Sequence, residues 1–159
     1  MFSFAIESYY AWIGLALTGT VLISVVIGLP TQAPLDASGV TATIDTVGVA
    51  TFSAAATHPV EADYIRIGRH RISLKRDGDI AHATVSYGPM TPVRADHSAL
   101  TALIDGTPPS DIFETPQQFE AALTQASVVA STPSWQQVRG PVHVRRVTYG
   151  PHSALLVDV

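Results

Sequence analysis

Hydrophobic and polar positions divide the chain into two unlike parts. Residues 11–29 read AWIGLALTGTVLISVVIGL, a run without a single charge. As a helix this run is about 28 Å long, close to the hydrocarbon thickness of a bilayer, so the pattern predicts a transmembrane helix. The flanks agree. Tyr9, Tyr10 and Trp12 stand where an aromatic belt belongs, and Pro30 ends the run. A cleaved signal peptide fits less well, because residues 1–10 carry no Lys or Arg and the LPTQAP that follows the apolar run at 29–34 is a poor small-x-small cleavage site.

Beyond the run the periodicity is that of a compact domain. After a Pro-containing linker, Val40, Ile44 and Val47 follow helical spacing, with Asp36 or Ser38 as the cap, although the Thr and Val content also allows a strand. Residues 52–60 read as loop. Ile65 and Ile67 share one face of a strand, Gly68 interrupts, and Ile72 and Leu74 share one face of the next. Asp77-Gly78 is a hairpin signal, and Ala81, Ala83, Val85 and Tyr87 alternate with polar residues on the return. Residues 96–106 predict a short helix from an Asp96 cap to Gly106, with Leu100, Leu103 and Ile104 on its apolar side. Residues 107–109 form a rigid break. Thr115, Pro116 and Gln118 spell a capping box for a helix over 115–130, whose apolar face is Phe119, Ala122, Leu123, Ala126 and Ala130. A short strand around Trp135, an alternating strand over 142–149 and a continuously apolar, central strand over 154–159 finish the chain.

The sum is an α+β fold: a transmembrane helix followed by one small domain, with a mostly antiparallel sheet of about five strands and two or three helices. The order is β-β-β-α-α-β-β. The expected divisions are an N-terminal flank (1–10), the span (11–29), a linker with a candidate juxtamembrane helix (30–61) and the α+β domain (62–159).

Composition narrows the chemistry. With 13 acids against 9 bases the net charge is -4, which does not predict nucleic-acid binding. There is no cysteine, so disulfides and thiolate metal sites are excluded. The six histidines make no His-x-x-x-His pair, and there is no Gly-x-Ser-x-Gly elbow, Walker A sequence or Gly-x-Gly-x-x-Gly. Asp77 and Asp79 flank Gly78 but lack the further ligands of a calcium loop, and the turn reading wins. The expectation is a non-enzymatic protein without catalytic, cofactor or metal residues. Three patterns remain as candidate contacts. Ala16, Thr20, Ser24 and Gly28 recur every four residues, a strip of small side chains suited to packing against another helix. Glu7 precedes the apolar run as a candidate pairing partner for a neighbouring subunit. Arg66, Arg69, Arg71, Lys75 and Arg76 put five of the nine bases into 11 residues, a candidate contact for an acidic partner or lipid headgroups.

Several segments resemble a known family: YAWIGLA at 10–16, LPT at 29–31, TVSYGPMTPV at 84–93, GTPP at 106–109 and VRRVT at 144–148. The family is one of uncharacterised single-span proteins of haloarchaea, catalogued as a domain of unknown function. The resemblance implies an accessory or minor pilin-like component, encoded beside archaeal type IV pilus or Tad-like genes. Its partners would be the lipid bilayer and other membrane helices or pilus-like subunits. It also implies a single-pass protein of the cell membrane with its domain outside the cell. That side is not set by flanking charge, since the nearest base to the apolar run is Arg66. Glu7 stands ahead of the apolar run, whereas the pilin Glu lies within it.

Overall fold

The structure, a computed structural model, describes residues 34–159. A compact unit runs Leu35–Val159. Its first element, α1 (Ala37–Gly48), starts where the Asp36 Oδ1 accepts the Gly39 N–H at 2.7 Å. Val40, Ile44 and Val47, spaced by four and three residues, are all buried. The helix stops at Gly48, where a Cβ would stand 2.9 Å from the Tyr87 Cβ. The missing side chain therefore lets a loop lie directly on the helix. Asp45 holds that loop, its Oδ1 accepting the Ser86 and Tyr87 N–H groups at 2.8 and 3.0 Å.

Eight strands follow, in two sheets. In the first, β1 (Ala54–His58), β7 (Val142–Tyr149), β8 (His152–Asp158) and β5 (Met90–Pro92) lie in that order. All its pairs are antiparallel except β5 with β8, which is parallel. In the second, the order is β4 (Asp79–Thr84), β3 (Arg71–Arg76), β2 (Tyr64–Ile67) and β6 (Gln136–Gln137), antiparallel throughout. Three more helices complete the unit: α2 (Ser98–Ile104), α3 (Pro109–Ile112) and α4 (Pro116–Ala130).

Two hydrophobic clusters fix this arrangement. Helix α1 lies between the sheets and shares one core with Ile65, Ile67, Ile72 and Leu74 of the second and Val142, Val144, Leu155 and Val157 of the first. The opposite face of the first sheet carries Val147, Ala154 and Leu156, covered by Leu100, Leu103, Phe113, Phe119 and Ala126. Strand β8 is thus buried on both faces, which accounts for its unbroken apolar run. Aromatic rings organise the second cluster. Phe119 lies 5.5 Å from Phe113 and 6.4 Å from Tyr149, whose hydroxyl donates to the Phe113 carbonyl at 3.2 Å.

This corrects the fold expected above. Among the described residues, one sheet of about five strands with two or three helices is replaced by two four-stranded sheets with four helices, and none of those helices is long and apolar enough to cross a membrane. The reason is non-local pairing. Strand β1 is Ala-Ala-Ala-Thr-His, with no apolar alternation of its own, and gains its place from β7. Strand β5 is three residues ending in Pro and gains its place from β8. The span expected at 11–29 lies outside the described residues.

Candidate functional site

The sharpest sequence-level candidate, the basic cluster, falls on the β2–β3 hairpin, and the register decides which of its members meet. Tyr64 pairs with Lys75, Ile65 with Leu74, Arg66 with Ser73 and Ile67 with Ile72. The Ile and Leu positions are buried against α1, so Tyr64, Arg66, Arg71, Ser73 and Lys75 belong to the other face. Strand β4 is set by the Asp77-Gly78 turn. Its φ angles of 51° and 94° are the two positive values that a two-residue hairpin of this twist needs. Counting outwards from it places Ile80 beside Lys75, His82 beside Ser73 and Thr84 beside Arg71. Gln137 of β6 stands beside Tyr64 at the far edge.

The outward face of the second sheet therefore gathers Arg66, Arg71 and Lys75, and no strand position on it is Asp or Glu. It is open: Tyr64 is 45% and Ile80 49% exposed. A polar row crosses its middle. Arg66 lies over the Trp135 ring at 4.7 Å and reaches the Ser73 Oγ at 3.5 Å, while the His82 Nδ1 lies 2.8 Å from that same oxygen. Stacking on an indole holds a guanidinium in one plane at little entropic cost. These neighbours cover Ser73 to 1% exposure, so its hydroxyl is an anchor for the row rather than an attacking group.

The other two members of the cluster lie elsewhere. Arg69 is in the turn between β2 and β3, where its carbonyl accepts the Met90 N–H at 2.7 Å. Arg76 has the opposite parity and turns to Glu61, donating to the backbone carbonyl at 2.9 Å with the carboxylate 3.7 Å away. Ala16, Thr20, Ser24, Gly28 and Glu7 lie outside the described residues. Sequence reasoning missed Tyr64, Ile80, His82 and Trp135 as companions of the cations. The first three were legible from strand parity and the Asp77-Gly78 register; Trp135 was not, because β6 is two residues long.

A second constellation has the composition of a catalytic triad without its geometry. The His58 Nδ1 lies 2.9 Å from the Thr43 Oγ1, and its Nε2 lies 3.9 Å from the Asp36 Oδ2. Thr43 also donates to the Gly39 carbonyl at 3.0 Å, and Asp36 is the α1 cap. The three side chains tie the start of α1 to β1. Among the described residues no group of three His, Asp or Glu side chains converges as a metal centre.

A sequence profile describing a family of unknown function, DUF7283, matches residues 3–147. The chain belongs to this family. The matched range includes every residue of the outward sheet face, so in this DUF7283 member the basic face falls within the family's own extent. No curated protein and no solved structure matches the chain.

Proposed function

We propose that the chain is a non-enzymatic module held at a membrane, and that the outward face of its second sheet binds anionic lipid headgroups. One observation carries this reading: three cations and the half-exposed Tyr64 and Ile80 share one sheet face on which no strand position is Asp or Glu. Cations near an anionic surface contribute about 1 kcal/mol each, and amphipathic aromatic rings favour the headgroup region. The uncharged stretch at 11–29 supports attachment to a membrane. The haloarchaeal, pilus-associated setting that the family resemblance implied, with the domain outside the cell, belongs to this proposal too. In molar salt the Debye length falls to about 3 Å, so there the face acts through direct guanidinium–phosphate contacts rather than long-range attraction.

The test uses the full chain in phosphatidylcholine nanodiscs, mixed with vesicles of phosphatidylcholine with or without phosphatidylglycerol. Co-sedimentation is expected only with phosphatidylglycerol, weakened by salt and by R66Q/K75Q. Equal binding to both vesicles defeats the reading. Binding to an acidic protein but to neither vesicle replaces lipid with protein as the partner.

A further inference from the structure

Around the β6 edge from the basic face, a pocket of about 310 Å³ is lined by Arg94, Thr101, Gln136, Gln137, Arg139 and Asp158. The lining comes from the loop after β5, from α2, from β6 and the residues that follow it, and from the end of β8. Among the described residues neither the Arg94 nor the Arg139 guanidinium has a hydrogen-bond or ion-pair partner. The side-chain amides of Gln136 and Gln137 are equally unspent. Thr101 is not available as a donor in the same way, since its hydroxyl bonds the His97 carbonyl at 3.2 Å.

Half-buried Arg94 and exposed Arg139 line the same concavity with their guanidinium donors left for a solute. Guanidinium groups pair best with planar or tetrahedral oxygen anions, which accept two parallel N–H bonds. The volume sits at the small end of ligand sites, of about 300–1,000 Å³, enough for one small anion or one anionic group of a larger molecule. We propose that this pocket binds a carboxylate or phosphate group, with Arg94 and Arg139 as charged donors and Gln136 as a neutral one. Asp158 stands on the same wall as a built-in opponent. It offsets part of the positive charge and sets the affinity below that of an unopposed arginine pair. The pocket adjoins, through Gln137, the sheet face that carries Arg66, Arg71 and Lys75 but includes none of those cations, so either stands if the other fails.

The proposal is tested on the full chain by thermal melting with inorganic phosphate and with malonate, each against chloride at matched ionic strength. A ligand that binds only the folded chain raises the melting temperature saturably. The expected result is such a rise with one or both anions, the tighter one identifying phosphate or carboxylate as the preferred group. R94Q and R139Q should each weaken the apparent affinity tenfold or more, and D158N should tighten it. R69Q, in the β2–β3 turn outside both sites, should leave it unchanged. Because neither arginine holds a protein group, R94Q and R139Q should melt like the parent in chloride. A rise in chloride equal to that in phosphate and malonate overturns the proposal, as does an unaltered affinity in both arginine variants.

Discussion

Adjacent residues on a strand point to opposite faces, and Arg145 and Arg146 show what that achieves in β7. The Arg146 Nη1 donates to the Gly48 carbonyl at the end of α1, on the face toward the second sheet. The Arg145 Nη1 reaches the Ile104 carbonyl at the end of α2, 3.5 Å away on the other face. Each cation meets the negative end of a helix, so one dipeptide fastens helices to both sides of the first sheet. The Arg146 Nε is buried without a partner, so that guanidinium depends on the Gly48 carbonyl. R146Q is expected to cost about 1–3 kcal/mol in urea unfolding, and R145Q under about 1 kcal/mol. Equal losses would mean that the two contacts are equivalent. Asp158 gives a pH prediction. Burial raises its pKa above the ordinary 3.8, and the nearby Asp105 pushes the same way, against the Val159 N–H bond and His143. From 3.8 up to the raised folded value, the folded chain binds more protons than the unfolded one. Stability therefore falls as pH rises through that window, and the cost persists above it. D158N should remove this slope and be at least as stable as the parent at neutral pH, as measured by urea midpoints across acidic pH. An unchanged slope would place the titration elsewhere.

At the scale of elements, the β3–β4 hairpin tests whether turn chemistry sets the register of the face. Gly78 has φ 94°, and a Cβ added there would meet nothing within 4 Å, so an Ala faces backbone strain alone. G78A should cost about 1–2 kcal/mol without a steric clash; a neutral result in denaturant unfolding would show that the turn does not hold the register. This hairpin was legible in the sequence, as were β7, the doubly buried β8 and the start of α4. There the Thr115 Oγ1 accepts the Gln118 N–H at 3.4 Å, and the Gln118 Oε1 accepts the Glu114 N–H at 2.9 Å, one residue ahead of the expected capping-box partner. Elements that depend on distant partners were not legible. Strand β1 lacks alternation, β5 ends in Pro, and α3 grew from the Pro108-Pro109 segment read as a break. The expected Asp96 cap of α2 gives way to His97, which makes no side-chain cap bond. The repeated Tyr-Gly-Pro also has two uses. Gly150-Pro151 turns β7 into its neighbour β8, whereas Gly88-Pro89 leads from β4 of the second sheet into β5 of the first, although both glycines have φ near 60°. Of the candidate contact cluster, composition supplied the cations and only the pairing register sorted three of them onto one face.

For the whole molecule, α1 is the joint between two sheets, and Ile44, with 0% exposure, sits in the core they share. I44A should cost about 2–5 kcal/mol and lower the stability of both sheets together, seen as one cooperative urea transition by Trp fluorescence and far-UV circular dichroism. Separate transitions would mean that the sheets unfold independently. The same arrangement explains why the outward face of the second sheet is free for a partner: α1 occupies its inner side. We propose that this face, rather than net charge, makes the contact with anionic headgroups. The most direct measurement compares two double variants that each remove two positive charges, R66Q/K75Q on the face and R69Q/R76Q off it. Full-chain nanodiscs carrying each are titrated with phosphatidylglycerol vesicles. If the face makes the contact, R66Q/K75Q loses most of the binding while R69Q/R76Q retains it; equal losses in the two would leave net charge as the cause.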